Sequence, residues 1–273
     1  MMGGMVVNDI LRQDSCGYSI PRIASLVPSV TELLVDLGLG PQLVARTGYC
    51  IHPKQALVNV PKVGGTKDVN LSKLRRLAPS HVIVNQDENR LETVQALREF
   101  VPHVIVTHPQ GPTDNLLLFE QMRQEFGDLP QVSLHCDALA ARLQQALARC
   151  RAASWPQQRV LYLIWREPWM TIARDTYIAR MLAEVGWQSW PAVEGGETGA
   201  ARYPVLQGDE AWLADVERIL LSSEPYSFDT SHLQQAQALC PRAKVQLVDG
   251  ELLSWYGPRA AQGLDYLRLL ASG

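Results

Sequence analysis

The stretch "LHCDALAARLQQALARCRAASW", residues 134–155, decides the fold of this chain. Leu139, Leu143 and Leu147 recur every four residues in it, and alanine is abundant, which predicts one amphipathic helix. A helix of about twenty residues is roughly 30 Å long, because each residue adds ~1.5 Å. The stretch lies near the midpoint of the 273 residues, so we expect it to connect two halves of the protein.

Strands alternate with helices on both sides of this stretch. Continuous apolar segments predict strands at 22–27, 42–47, 81–85 and 103–108 in the first half, and at 159–165, 218–223 and 244–248 in the second. Continuous apolar strands with helices between them are typical of parallel sheets that are covered on both faces. A helix is predicted over 29–40, with Ser29 as its N-cap and Glu32 three residues later as in a capping box.

The two halves repeat one pattern. Residues 71–89 and 209–226 both read as a helix, a turn, a strand and a polar loop that contains a glutamate. Any α/β protein shows some echo of this kind, but here the long helix falls between the two copies. We therefore predict an α/β fold of two Rossmann-like lobes, each with a mostly parallel sheet, joined by one long backbone helix. The expected boundaries are 1–130, 131–156 and 157–273.

Composition excludes two classes of partner. The formal net charge is −3, and no cluster of Lys and Arg interleaves with aromatic residues, which argues against nucleic-acid binding. No segment approaches the ~18 consecutive apolar residues of a membrane span, so no membrane insertion is predicted. The N-terminal "MMGGMVVNDI" shows no basic region followed by a long apolar one. It predicts a cytoplasmic protein, or a periplasmic one if the sequence is a shortened form.

Five cysteines stand at 16, 50, 136, 150 and 240, an odd number with no C-x-x-C spacing. They do not form the paired ligands of a structural zinc site and are predicted to be mostly buried, reduced thiols. Cys50 is the expected exception, because its segment also carries Tyr49 and His52. The sequence contains no G-x-S-x-G, P-loop or H-E-x-x-H motif, so we predict a protein that is not an enzyme.

Three segments resemble one protein family. They are "PRIASLVPSVTELLVDLGLGPQLVARTGYCIHP" (21–53), "VPKVGGTKDVNLSKLRRLAPSHVIVN" (60–85) and "VDGELLSWYGPR" (248–259). They are similar to the helical-backbone (class III) substrate-binding proteins of ABC transporters, which bind cobalamin, haem or siderophores. The likeness is greatest to the cobalamin-binding members. The motifs are specific to this superfamily and do not specify the ligand.

The resemblance implies a binding protein that holds a metal chelate, such as a corrinoid, haem or a siderophore, in the cleft between two lobes. No cofactor would be required, and cobalamin or a related chelate would be the ligand. An ABC transporter permease is the implied partner, docking on an acidic residue of each lobe. Glu92 lies near the first such position, and the second lobe offers no clear equivalent. The alternatives are an α/β enzyme acting in the cleft, or a cytoplasmic ligand sensor.

Loops that follow strand ends should line this cleft, as in other open α/β sheets. Aromatic faces suit a flat macrocycle, because they bury a large area and lose little rotamer freedom. No metal-ligating residue is predicted. The candidate ligand-binding residues are Tyr49, His52, Gly65, Glu88, Asn89, Arg166, Trp169, Glu224, Tyr226, Trp255 and Tyr256.

Each candidate has a structural alternative. His52 could ligate a metal axially or lie on the surface, and Trp169 is a better cleft candidate than Trp165, which ends a strand. Glu88 and Glu224 could bind ligand amides or form salt bridges between the lobes. Trp255 and Tyr256 could line the cleft or fill the core. A further polar residue, Asn85, stands where cobalamin-binding relatives often carry an aromatic one.

Overall fold

Two four-stranded parallel sheets lie on either side of one long helix in the computed structural model, which describes residues 20–196 and 199–273. The predicted α/β fold with two lobes is therefore confirmed. No sheet runs through the midpoint of the described chain, because the strands of each half pair only with one another.

From residue 20 onward, the first lobe contains four strands and four α-helices. In chain order these are β1 (Ile23–Ser25), α1 (Pro28–Asp36), β2 (Leu43–Arg46), α2 (Leu71–Arg76), β3 (His81–Asn85), α3 (Leu91–Arg98), β4 (His103–Thr107) and α4 (Asn115–Phe126). The strands lie side by side in the order β2-β1-β3-β4 and all pairs are parallel.

The connecting helix and the second lobe follow. Their elements are α5 (Pro130–Arg151), β5 (Gln158–Leu163), α6 (Tyr177–Ala183), β6 (Trp187–Ser189), β7 (Arg218–Ser222), α7 (Leu233–Leu239), β8 (Lys244–Val248), α8 (Gly250–Ser254) and α9 (Arg259–Ser272). The sheet order is β6-β5-β7-β8, again all parallel. Each lobe thus places its strands in the same sequence, so the repeat seen in the amino-acid pattern is a repeat of topology.

The bounds of two helices differ from the prediction. Helix α5 begins at Pro130, one residue before the expected boundary at 131 and four before the stretch with the regular leucine spacing, because proline needs no hydrogen bond for its nitrogen at the first helical position. It ends at Arg151, where the indole of Trp155 donates to the carbonyl of Cys150 at 2.8 Å. For the same reason α1 begins at Pro28, so Ser29 lies inside the helix and is not its N-cap.

One continuous core joins the lobes through α5. The buried face of this helix, which includes Leu139, Leu143 and Leu147, packs on α4 of the first lobe and on α9 of the second. The same core contains buried residues of α1, α6 and α8. The outer face of each sheet has a smaller core of its own, against α2 and α3 in one lobe and α7 in the other. Both sheets are therefore covered on both faces, and α5 anchors the inner layer of each.

Polar contacts also cross between the lobes. The guanidinium of Arg259, at the start of α9, donates to both carboxylate oxygens of Glu32 in α1 at 2.6 and 3.2 Å, and it also pairs with Glu251. The buried side chain of Arg202 lies 3.4 Å from the carboxylate of Asp87. These ion pairs hold the two lobes in one relative position beside α5.

We expect Arg259→Ala to lower the free energy of unfolding by about 1–2 kcal/mol. The carboxylate of Glu32, largely buried, then loses two charge-assisted hydrogen bonds and has no replacement partner. Urea denaturation measures the change. Arg268→Ala on the same helix is the matched control, because the closest carboxylate of Arg268 lies 3.9 Å away; a change of less than about 0.5 kcal/mol is expected there. Equal changes in both variants would contradict the assignment.

Candidate functional site

The carboxyl ends of strands from both sheets face one cavity of about 630 Å³ between the lobes. This volume lies within the range of small-molecule sites, about 300–1,000 Å³. Its lining comes from both lobes and comprises Pro28, Ser29, Gly48, Tyr49, Ile51, Thr66, Glu88, Trp165, Ile178, Glu224, Pro225, Glu251, Ser254, Trp255 and Tyr256.

Tyr49 and Ile51 form the apolar wall of the first lobe. Both follow β2, and 65% of Tyr49 and 50% of Ile51 are exposed. Gly65 lies under the phenol ring, where a Cβ atom would approach Cε2 of Tyr49 to 3.3 Å. The preceding Gly64 has a φ of +103° and no room for a side chain, since a Cβ atom there would lie 2.2 Å from the carbonyl oxygen of Asp68. The Gly-Gly turn therefore supports Tyr49 in its position, and Gly65 itself is not part of the lining.

Trp165 forms the facing wall in the second lobe. It follows β5, 41% of it is exposed, and its ring meets that of Tyr226 edge-on with 5.6 Å between centroids. Trp169 lies outside the cavity, stacked on Phe228 at 5.9 Å, with the guanidinium of Arg166 over its ring. A tight turn pairs Trp165 with Met170, which carries Trp169 back onto the outer core of the lobe. The expectation for these two residues is therefore reversed: Trp165 lines the cavity and Trp169 packs on the outer core.

The "VDGELLSWYGPR" segment contains the short helix α8. The side chain of Asp249 accepts from the backbone N–H of Leu252 at 3.1 Å and caps α8. Gly250 is needed at the first position, because a Cβ atom there would lie 2.3 Å from the hydroxyl of Ser222. Leu253 is fully buried in the core, so the chain leaves α8 with Trp255 and Tyr256 at the cavity.

Trp255 and Tyr256 each bind one carboxylate of the cavity. The indole N–H of Trp255 donates to Oε1 of Glu224 at 2.8 Å, and the hydroxyl of Tyr256 donates to Oε1 of Glu88 at 2.8 Å. Trp255 is 8% exposed and Tyr256 is 7% exposed, so both are packed as well as lining the cavity. Both residues therefore belong to the packed interior and to the wall of the cleft at the same time.

Glu88 and Glu224 occupy equivalent places in the two lobes. Each follows the third strand of its sheet, β3 or β7. In the first lobe the buried amide of Asn85 accepts from the backbone N–H groups of Asp87 and Glu88 at 2.8 and 3.2 Å. In the second lobe the hydroxyl of Ser222 accepts from the N–H of Glu224 at 3.3 Å. A polar residue at each strand end thus shapes the loop that presents the glutamate.

Burial changes the acidity of both glutamates. Desolvation raises the pKa of Glu88 from its ordinary 4.5 to about 7, although the hydrogen bond from Tyr256 and the charge of Lys67 oppose this. Desolvation also raises the pKa of Glu224, against hydrogen bonds from Ser254 and Trp255. The cavity therefore holds two carboxyl groups that take up protons more readily than exposed ones.

Four other predicted site residues lie outside the lining. The ring of His52 meets Trp255 edge-on at 5.6 Å, and its Nε2 lies 3.5 Å from Glu251, at the edge of the site. Asn89 is buried and donates to the carbonyl of Thr66 at 2.9 Å, which ties two loops of the first lobe together. Arg166 donates to Gln235 at 2.8 Å, and Tyr226 pairs with His232 at 3.1 Å. Each of the four side chains therefore contacts other residues of the protein and does not line the cavity.

Cys50 is not the exposed thiol that its sequence neighbours suggested. It is fully buried, with Sγ 3.1 Å from the hydroxyl of Thr47, and burial raises the pKa of the thiol. Its side chain points into the first lobe while the adjacent Tyr49 points into the cavity. The other described cysteines, at 136, 150 and 240, are also buried and free, and Cys16 lies outside the described residues.

Ten of the fifteen lining residues are not among the candidates named from the sequence, and four of them show why. Ile178 reaches the cavity from α6, Pro28 starts α1, and Thr66 and Pro225 lie in loops. For Thr66 and Pro225 the signal was their place directly after Gly65 and Glu224. For Ile178 no sequence signal existed, because one apolar residue in a helix does not reveal whether it faces a core or a cavity.

A two-lobed binding protein with its ligand site between the lobes is the class that this fold and cavity define. Residues 23–234 match the sequence profile of the family described as periplasmic binding protein. Since this match covers more than half of the chain, the protein belongs to that family of transporter substrate-binding proteins, and it is a binding protein rather than an enzyme.

Named proteins with which the chain shares similarity include a vitamin B12-binding protein of Vibrio vulnificus. The two are 25% identical over 216 residues, which cover 79% of this chain and 73% of the relative. Among solved structures, the periplasmic vitamin B12 binding protein of Vibrio cholerae matches with a TM-score of 0.76 and 20% identity, over 92% of this chain and 96% of that one. The periplasmic haem binding protein of Vibrio cholerae matches with a TM-score of 0.74 and 21% identity, over 92% and 99%. At these identities the structural matches establish the fold alone.

The family corrects the predicted location. Its members are periplasmic binding proteins, so the cytoplasmic location inferred from the N-terminal residues is wrong. That inference used the first residues of the sequence only, whereas the family match extends over residues 23–234. Within residues 20–196 and 199–273, no helix combines the length and the apolar character that crossing a membrane requires.

Proposed function

We propose that this protein binds cobalamin or a closely related corrinoid in the cleft between its lobes. Tyr49 and Trp165 carry the proposal: they are large aromatic residues, substantially exposed, and they line one cavity from opposite lobes. A flat macrocycle placed between them would cover both faces at little cost in side-chain entropy. The similarity to vitamin B12-binding proteins over 79% of the chain supports the same ligand class.

The side chains of the cavity favour a ligand whose metal is already coordinated. Among the described residues of the lining, none is His, Cys or Met. Haem iron in proteins is usually held by one of these residues or by Tyr. A corrinoid whose cobalt already carries axial ligands needs no such group, and the aromatic walls would hold it by its faces and edges.

Glu88 and Glu224 supply the polar contacts of the proposed site. Oε1 of Glu224 accepts from Trp255, and Oε1 of Glu88 accepts from Tyr256. All four residues line the cavity. A carboxylate accepts from an amide N–H, and a protonated carboxyl donates to an amide oxygen. The amide groups around a corrin ring can bind either form, so the raised pKa of Glu88 suits this ligand.

Haem is the second candidate, and one observation favours it. The phenol of Tyr49 is 65% exposed at the cavity and could ligate iron as a phenolate. The fold match to a haem binding protein is consistent with this alternative but does not select it.

Two variants of Tyr49 separate the candidates. With cyanocobalamin, Tyr49→Phe should leave the dissociation constant within about threefold, because the ring that covers the macrocycle is kept. Tyr49→Ala should weaken it by about 1–3 kcal/mol, or about fivefold to 150-fold. Isothermal titration calorimetry with cyanocobalamin and with haemin measures each affinity.

The haemin titrations decide the alternative. If Tyr49 ligates iron, Tyr49→Phe should lose most haemin affinity and change the absorption spectrum of the bound haem. Tight haemin binding that depends on the hydroxyl, together with no binding of cyanocobalamin, would overturn the corrinoid proposal. Arg268→Ala, on α9 and outside the cavity lining, is the control for general damage.

We further propose that the loaded protein delivers its ligand to an ABC transporter permease. The family relationship supports a permease partner. Glu92 is exposed in the first turn of α3, just after the third strand of its lobe. Asp229 is exposed at the matching place in the second lobe, between β7 and α7. These two carboxylates are the pair that the repeated topology offers for docking.

A further inference from the structure

We propose that His81, His103 and Glu125 form a binding site for a divalent transition-metal ion, with Zn²⁺ as the best fit. The three side chains offer two imidazole nitrogens and one carboxylate oxygen, and these atoms all lie within 4.8 Å of one another. The cluster lies at the amino ends of β3 and β4, whereas the loop with Glu88 leaves the carboxyl end of β3. It is therefore separate from the ligand cleft.

The donor distances agree with tetrahedral coordination. Nε2 of His81 lies 3.4 Å from Oε1 of Glu125, and Nδ1 of His103 lies 3.5 Å from the same oxygen. Tetrahedral bonds of about 2.0–2.1 Å place neighbouring donor atoms roughly 3.4 Å apart. The carboxylate thus stands at nearly the correct separation from each imidazole nitrogen.

The elements of the first lobe hold these ligands together. His81 and His103 are register partners on adjacent strands, and Glu125 is near the end of α4, which packs over them. The Nδ1 atom of His81 lies 2.8 Å from the hydroxyl of Ser80, and Phe126 packs against its ring at 5.2 Å. A partner on the far nitrogen is the usual way in which a protein orients a ligating imidazole. His81 is therefore fixed with its Nε2 toward Glu125.

His103 is the adjustable ligand. The two imidazole rings are stacked with 4.5 Å between centroids and 11° between planes, so their lone pairs do not converge until one ring turns. The side chain of His103 is 56% exposed, which leaves it room to rotate. The same exposure lets water occupy the fourth position, giving the His₂Glu-plus-water arrangement of open zinc sites.

The second lobe repeats the fold but does not repeat the two histidines of this cluster. The residues at the matching strand starts of the second lobe are Arg218 and Lys244, which are register partners on β7 and β8. Neither is a metal ligand at neutral pH, because both side chains are cationic. The ligand set therefore belongs to the first lobe alone, where an ion would join β3, β4 and α4.

Titration of the full chain, without a histidine tag and after removal of metals with a chelator, tests the site. We expect ZnCl₂ to bind with one saturable site per chain by calorimetry and to raise the thermal midpoint. Co²⁺ should give the intense visible absorption of a tetrahedral ion. His103→Ala and Glu125→Gln should each weaken binding about tenfold or more and abolish the cobalt spectrum.

Two controls show whether a loss of Zn²⁺ binding is specific to this cluster. His103 is exposed, so its alanine variant should fold, and an unchanged midpoint without metal verifies this. His52→Ala is the matched control, because His52 also faces a glutamate at 3.5 Å but lacks a second histidine at the same distance. It should bind Zn²⁺ as the original chain does. No saturable Zn²⁺ binding by the original chain, or equal affinity in His103→Ala, would overturn the proposal.

Discussion

Trp255→Ala is expected to lower the free energy of unfolding by about 3–5 kcal/mol, the usual range for truncating a buried aromatic residue. The indole is 8% exposed, lies beneath the guanidinium of Arg259 at 4.5 Å, and donates to Glu224. Its removal leaves a cavity and deprives a desolvated carboxyl group of a donor. Urea unfolding measures the loss, and the affinity of the folded fraction for cyanocobalamin should also fall, because the indole lines the cleft.

Trp255→Phe separates the contribution of apolar packing from that of the hydrogen bond to Glu224. It keeps most of the apolar contact and removes only the N–H donor, so we expect roughly 1–3 kcal/mol of destabilisation. If Trp255→Ala lowers the urea midpoint while the folded fraction binds cyanocobalamin with unchanged affinity, Trp255 belongs to the core alone and leaves the proposed site. If neither quantity changes, the hydrogen bond and packing described for the indole are wrong.

Glu88→Gln is expected to stabilise the protein by up to about 3 kcal/mol at pH 8 and to have little effect at pH 4. The pKa of Glu88 is raised to about 7 in the folded protein, from an ordinary value of 4.5. Between these values the folded state holds the proton and the unfolded state does not, so the free energy of unfolding falls as pH rises. Above pH 7 Glu88 is ionised in the folded protein, so the full desolvation cost of the buried carboxylate lowers the free energy of unfolding. Glutamine is neutral at every pH and does not have this cost.

Urea unfolding of both proteins from pH 4 to pH 8 measures this difference. Burial also raises the pKa of Glu224, so the comparison uses the difference between variant and original at each pH. Glu92→Gln is the control for replacing a glutamate by glutamine at an exposed position, here on α3. A difference for Glu88→Gln that stays constant across the range would show that the carboxyl group is not desolvated.

The sequence predicted the fold wherever one local pattern decides the structure. Residues 81–85 and 244–248 form β3 and β8 with the expected bounds, because short apolar runs between polar turns leave little choice. Helix α8 was not predicted, since a helix of 5 residues is too short to show a period and its Asp-Gly start resembles a turn. Its formation depends on the Asp249 cap and on the space beside Ser222, which belongs to another strand.

The candidate site was less predictable, because the direction of a side chain in a loop depends on the turn that carries it. Tyr49, Glu88, Glu224, Trp255 and Tyr256 do line one cavity, and their contacts with a ligand stay predictions. Trp165 and Trp169 are four positions apart in one loop, and only the pairing of Trp165 with Met170 decides which of them faces the cleft. Cys50 and Tyr49 are neighbours in sequence and point in opposite directions for the same kind of reason.

The single passage of the chain between the lobes through α5 has a consequence for folding. The strands of each sheet come from one uninterrupted segment, so no hydrogen-bonded strand of the first lobe has to wait for residues beyond α5. Domains built in this way can fold as separate units in the order in which they emerge. The first lobe can then offer a preformed surface on which the second condenses. Formation of the ion pair between Arg259 and Glu32 should be among the last steps, because it joins residues 227 positions apart in the chain.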